Sequence, residues 1–120
     1  MTDLLKSEWP RIAKQFKVPR EKLEFYQTNS ESEFLAKISQ PYKGIVINAG
    51  AWTHTSLALA DRLVGLQIPF VEVHVSNLSG REEVRQHSFL AAHAVGVVHG
   101  FGIRSYLVGL EALMGSFDGI

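Results

Sequence analysis

The sequence predicts an α/β fold, with a parallel sheet covered by helices on both faces. Short apolar runs at residues 44–48, Phe70–His74 and 95–99 alternate with segments whose apolar residues recur at helical spacing. Ile45-Val46-Ile47 is continuously apolar, as in strands buried on both faces of a parallel sheet, where an antiparallel strand with one wet face would alternate. Parallel strands need crossover connections, and helical crossovers place helices on both faces, which makes three layers.

The elements follow in order. Thr2 to Phe16 has apolar residues at Leu4, Leu5, Trp9, Ile12, Ala13 and Phe16, a helical repeat with Thr2 as the N-cap. Pro10 lies inside it and removes one backbone donor, which predicts a kink or a break. Residues 22–26 read as a short strand with Leu23 and Phe25 on one face, and 30–38 as a helix opened by a Ser30/Glu33 capping box. The strand at 44–48 leads through a glycine turn at Gly50 to a helix over 54–66, with Leu57, Ala60, Leu63 and Val64 facing inward. Phe70–His74 is the next strand. A polar loop over 75–80 and a helical turn near 82–85 precede the strand at 95–99. A closing helix spans 103–114, and the residues after Gly115 fray. The expected sheet has four parallel strands in sequential order, with 22–26 paired directly to 44–48.

At 120 residues without a repeat or linker, the chain reads as one domain spanning 1–120. Lys+Arg and Asp+Glu are both 12, so no charge excess recommends nucleic acid or an anionic membrane as partner. Cysteine is absent, which excludes disulfides and thiolate metal sites and suits a reducing compartment. Asp3, Lys6 and Glu8 near the start argue against a signal peptide, and no apolar run reaches the roughly 20 residues that span a bilayer. A cytoplasmic protein is expected.

In parallel α/β sheets ligands bind beyond the carboxyl ends of the strands, so polar residues there carry the functional information. Three such stretches stand out: residues 48–56, 72–77 and 81–88. Each residue has an ordinary reading. Asn48 could be a turn residue, His54 a surface group behind a Thr53 cap, and Arg81 and Arg85 a solvated helical face beside Glu82 and Glu83. Together they say more, because Asn48, His54 and His74 converge at one sheet edge with Arg85 close behind. Imidazole can act as general acid, and a second imidazole with an arginine can hold an anion. Glu72 shares a face with His74 and could orient a neighbouring imidazole. The set suits a small, polyhydroxylated anion. His54, His74 and Glu72 could instead ligate a metal, but no close-spaced ligand pair supports that. Gly100-Phe101-Gly102 could bind an anion through its amides, although close packing is the commoner use of such glycines.

These stretches, in this order and spacing, resemble the type II 3-dehydroquinate dehydratases. Val71-Glu72-Val73-His74, Arg81-Glu82 and Gly96-Val97-Val98 belong to the likeness, as do the helix at Leu4 to Phe16 and Phe25-Tyr26-Gln27-Thr28-Asn29. The resemblance implies a flavodoxin-like three-layer sandwich and, in the shikimate pathway, anti elimination of water from 3-dehydroquinate. It implies no metal or organic cofactor, and a homo-oligomer, trimer or dodecamer. By the same resemblance His54 is the general acid and Glu72 the group that orients it. Asn48, His74 and Arg85 contact substrate hydroxyls, and the backbone of Val75 and Ser76 holds the carboxylate.

Two small departures are Ala49, where the family usually has proline, and Trp52, where it has a smaller residue or tyrosine. The larger one is at the front. Family members begin with a strand, an asparagine-bearing turn and a mobile lid carrying an arginine and the tyrosine that abstracts the proton. The first helix here corresponds to the one after that lid, and Tyr26, Tyr42 and Tyr106 align elsewhere. The resemblance therefore implies a reduced sheet and impaired turnover by these residues alone. The alternative is a non-catalytic homologue serving as an anion-binding or assembly module.

Overall fold

A computed structural model describes residues 2–19, 22–83 and 86–117, with backbone alone for Thr2 and Leu5. Its strands are β1 (Ile45–Ile47), β2 (Phe70–His74) and β3 (Gly96–His99), and its helices α1 (Thr2–Phe16), α2 (Glu31–Ile38), α3 (Trp52–Thr55), α4 (Leu57–Leu66) and α5 (Arg104–Phe117). The strands are parallel in the order β1-β2-β3, with Val46 opposite Val71 and His74 opposite His99.

Every residue of β2 is buried, and strand alternation sorts its side chains between two layers. Val71 and Val73 point to the α5 side, where Val46, Val98, Leu113 and Phe117 complete the packing. Trp9 and Ile12 of α1 join Leu107 and Leu110 of α5 on that side. Phe70 points the other way, with Ile47, into a cluster formed by Ile38 of α2, Leu59, Ala60 and Leu63 of α4, and Leu90. Gly109 lets α5 lie close to the sheet, since a Cβ there would meet Val73 Cγ2 at 2.6 Å and Val46 Cγ1 at 3.3 Å.

Local signals hold where they are strongest. Ser30 Oγ accepts the Glu33 N–H, and Ser56 Oγ accepts the Leu59 N–H, which caps α2 and α4. The Ser30 box is half made: the Glu33 carboxylate receives the Thr28 hydroxyl instead of the Ser30 N–H. α1 and α4 are each followed by a non-glycine left-handed residue, Lys17 (φ 54°) and Gln67 (φ 56°), which ends the helical path. Arg11 of α1 reaches Glu111 of α5 at 2.5 Å and Glu8 at 3.2 Å, and Arg104 reaches Glu8 at 3.4 Å. The Arg11 hydrogen bond holds the Glu8 carboxyl below its ordinary range, assisted by Arg104.

Several expectations need correction. The sheet has three strands among the described residues, not four, because 22–26 takes no strand pairing. Leu23 packs instead with the α1–α5 cluster, and Glu24 is tied to Lys37 and Tyr42 beside α2, so side-chain contacts hold this segment to helices. Pro10 does not break α1, which runs continuously through it. The expected helix over 54–66 is two helices, since Ser56 ends α3 and caps α4. That break rotates the inward stripe to Leu59, Ala60 and Leu63, leaving Leu57 60% and Val64 47% exposed. Thr53 is no cap; its buried Oγ1 has no hydrogen-bond partner. Leu78–Gly80 forms a 3₁₀ turn where a loop was expected, and α5 continues past Gly115 to Phe117, whose ring packs against Gly44. The Thr2 cap, the Leu5 side chain and the turn at 84–85 lie outside the described residues.

Gly109→Ala should lower stability even though alanine favours helix by about 1 kcal/mol, because overpacking against the stiff Val73 costs about 1–3 kcal/mol. Gly109→Val should lower it further, and an unchanged urea midpoint for the alanine variant would refute the close approach. The depressed Glu8 carboxyl stabilises the fold above the ordinary carboxylate range, and that contribution is lost as pH falls through its folded value. Urea midpoints of wild type and Glu8→Gln should therefore differ at pH 7 and converge in acid.

Candidate active site

The carboxyl ends of β1 and β2 open into a cleft of about 230 Å³. Asn48, Gly50 and Ala51 line it from the β1 side, His54 from α3, and His74, Val75, Ser76, Leu78 and Arg81 from the β2 side. Five of the residues expected at a site, Asn48, His54, His74, Val75 and Ser76, thus meet in one place. Arg85 lies outside the described residues.

Each polar side chain is oriented by a specific partner. Asn48 Oδ1 accepts the Gly50 N–H at 3.0 Å, a turn that accompanies the left-handed Gly50 (φ 57°). Its Nδ2 donates to the Tyr106 hydroxyl at 2.8 Å. With both ends engaged, the amide can face a ligand in only one sense. His54 Nδ1 lies 2.6 Å from the His87 carbonyl oxygen. A carbonyl only accepts, so Nδ1 carries the hydrogen and Nε2 remains for a ligand. His74 Nε2 lies 2.5 Å from Glu72 Oε2, in a pair where the side chains are 5% and 0% exposed. The His54 and His74 rings lie 6.4 Å apart and nearly parallel.

Glu72 therefore does not orient His54, as the resemblance implied. Strand spacing explains the correction: positions two apart share a face, which puts the carboxylate directly behind His74, while His54 belongs to α3 and is held by the loop at 87. Glu72 also lies behind the cleft instead of lining it.

Several residues escaped the sequence reading. Arg81 donates from Nη1 to Ser76 Oγ at 3.2 Å at the cleft wall, although in sequence it looked like part of a solvated face. Ser88 contacts the Glu72 carboxylate at 2.8 Å, a role that its place in the polar stretch 81–88 only hinted at. Tyr106 sits inside a helix, and nothing in its neighbourhood marked it. The Gly100–Phe101–Gly102 turn closes over β2 by packing: Gly100 lies against Asn77, and Gly102 N–H donates to the Val75 carbonyl. Among the described residues no group of three or more His, Cys, Asp or Glu could hold a metal ion. A second, more open hollow of about 340 Å³ lies along α2 between Tyr26 and Gln40, away from the histidines.

Known proteins share this arrangement of elements. Residues 3–114 match the family described as Dehydroquinase class II. The 3-dehydroquinate dehydratase of Prochlorococcus marinus (strain MIT 9215) is 48% identical over 109 residues, covering 86% of this chain and 74% of that protein. The protein of the same description from strain MIT 9301 is 50% identical over 105 residues, covering 82% and 71%. The type II dehydroquinase structure from Propionibacterium acnes superposes with a TM-score of 0.73 at 38% identity, over 88% of this chain and 80% of that one. The one from Butyrivibrio crossotus gives 0.78 at 33% identity, over 92% and 78%. The α/β architecture with its parallel sheet is thus the flavodoxin-like one of these neighbours. With a family match that runs from α1 into α5, the chain belongs to the type II 3-dehydroquinate dehydratase family.

Proposed function

We propose that the cleft binds 3-dehydroquinate and supports its dehydration to the conjugated enone, a carbon–oxygen lyase reaction of the shikimate pathway. The observation that carries this is the meeting of two imidazoles, an oriented amide and the Val75–Ser76 peptide at the carboxyl ends of β1 and β2, in a chain of this family. In the elimination a base takes the proton beside the ketone, electron density moves through an enolate, and the departing hydroxyl takes a proton from an acid and leaves as water. His74 is the better-equipped acid, because a cationic ring there would be paired with the buried Glu72 carboxylate. This reverses the role expected for His54, which instead offers Nε2 to a substrate hydroxyl, beside the Asn48 amide. The peptide N–H groups of Val75 and Ser76 hold the substrate carboxylate, and Arg85 is proposed to contact a substrate hydroxyl.

None of the three tyrosines is among the residues that line the cleft. Tyr42 donates to Glu24, Tyr26 lies beneath Lys37, and the Tyr106 hydroxyl receives Asn48. The described residues thus provide binding and acid functions. Turnover resting on them alone is proposed to fall roughly 10²–10⁴-fold short of a site with a positioned base. The protein is further proposed to be cytoplasmic and homo-oligomeric; Val95, Val97, Phe101 and Ile103 are exposed apolar residues on and flanking β3, which association would cover.

Formation of the enone is followed by ultraviolet absorbance, and binding by calorimetry. Wild type should bind 3-dehydroquinate, and absence of any heat of binding would remove the proposed function. Turnover of about 1 s⁻¹ or more would refute slow catalysis. His74→Gln should lower the rate about 10²-fold or more with little change in KM, whereas His54→Gln should act mainly on KM. Sedimentation at micromolar concentration should give a mass above the 13.4 kDa monomer.

A further inference from the structure

Ser88 stands at a crossing of three hydrogen bonds that can be assigned a direction. Its Oγ accepts the backbone N–H of Leu90 at 3.0 Å and of Ala91 at 3.1 Å. A hydroxyl has two lone pairs and one hydrogen, so both acceptor positions are occupied. The remaining hydrogen has to point at the third neighbour, Glu72 Oε1, 2.8 Å away. Glu72 is fully buried and its other oxygen faces His74 Nε2, so both carboxylate oxygens are engaged by protein groups.

The loop that carries Ser88 is itself held in place. Leu90 is fully buried in the α2–α4 core, and the Phe89 N–H donates to the Thr53 carbonyl at 2.9 Å, next to His54. One residue before Ser88, the His87 carbonyl takes the His54 Nδ1 hydrogen. Two successive residues therefore reach both imidazoles of the cleft.

We propose that Ser88 is a positioning residue: by donating to Glu72 Oε1 it commits Oε2 to the Nε2–H of His74, so that Nδ1 is the ring nitrogen that exchanges a proton with substrate. The proposal rests on the reading of the cleft as the dehydratase site. A serine that only caps the 88–91 turn would need its lone pairs alone, and its hydrogen would not matter to His74. In the positioning role the hydrogen is what matters. Without it, Oε1 is a buried acceptor lacking a donor, and the carboxylate is free to turn away from the ring.

The test uses protein labelled with ¹⁵N-histidine, reading the His74 ring nitrogens at neutral pH, alongside the rate of enone formation from 3-dehydroquinate. Wild type should show a protonated Nε2, with proton exchange confined to Nδ1. Ser88→Ala should move both signals toward a tautomer average and lower kcat about tenfold. KM should stay within about twofold. Ser88→Thr, which keeps the hydroxyl, should restore both. In the Glu72→Gln background Ser88→Ala should have no further effect, because its action runs through the carboxylate. Wild-type nitrogen signals in Ser88→Ala, or simple additivity with Glu72→Gln, would overturn the proposal. If Ser88→Ala does not fold, Ser88→Cys, a weaker donor, should show an intermediate shift, and unshifted signals there would overturn it equally. The nitrogen signals need no ligand. Failure of wild type to bind 3-dehydroquinate would thus count against the dehydratase reading, while the role of Ser88 is decided separately.

Discussion

The alternation of side chains along β2 is the constraint from which the other features follow. Phe70–His74 is buried at every position and hydrogen-bonded to a strand on each side. Its odd residues, Val71 and Val73, form the floor on which α5 lies, close enough that position 109 has to be glycine. Its even residues, Phe70, Glu72 and His74, run from hydrophobic core through a hydrogen-bonded carboxylate–imidazole pair to open cleft within three side chains on one face. A register slip of one residue would exchange these sets, burying the carboxylate against α5 and sending two valines toward the cleft. Core and site are therefore specified by the same five residues.

A carboxylate in such a place is costly unless every lone pair that faces the protein is used. Here the partners come from two directions, His74 along the strand and Ser88 from the loop that precedes β3. That loop is secured by Leu90 in the core and by a backbone bond to α3. Its own position depends in turn on the short α3, which the break at Ser56 separates from α4. The break turns His54 toward the His87 carbonyl and brings it over His74. A continuous helix over 54–66 would have kept Leu57 inward and presented His54 differently.

The two helices on the α5 side are joined differently from the two on the other. α1 meets α5 through Trp9 and Ile12 at the centre and through the Glu8, Arg11, Arg104 and Glu111 charges at the rim. α2 meets α4 through a largely apolar cluster, with Arg62 donating to Ser39 at its edge. The exposed ion pairs add orientation more than stability, since solvent screens them. Among the described residues β1 pairs only with β2, so it is an edge strand of the sheet.

Local chemistry was legible in the residues themselves. Ile45-Val46-Ile47, Phe70–His74 and the Val97-Val98 run marked three strands, because apolar β-branched residues bounded by glycine, proline and asparagine favour extended backbone. The Ser30/Glu33 spacing located the start of α2, and the polar ends of β1 and β2 located the cleft. What the sequence left open was everything that depends on a partner distant in the chain. Residues 22–26 have a strand's composition but lie against helices, since pairing depends on which edge is within reach and not on propensity. Glu72 could have served either histidine; the tertiary structure assigned it to His74 and gave His54 to a carbonyl 33 residues away. Ser88 and Tyr106 became legible only once folding brought them to the carboxylate and the amide. Hydrogen-bond direction and burial are set by neighbours in space, and a sequence determines those only through the fold it adopts.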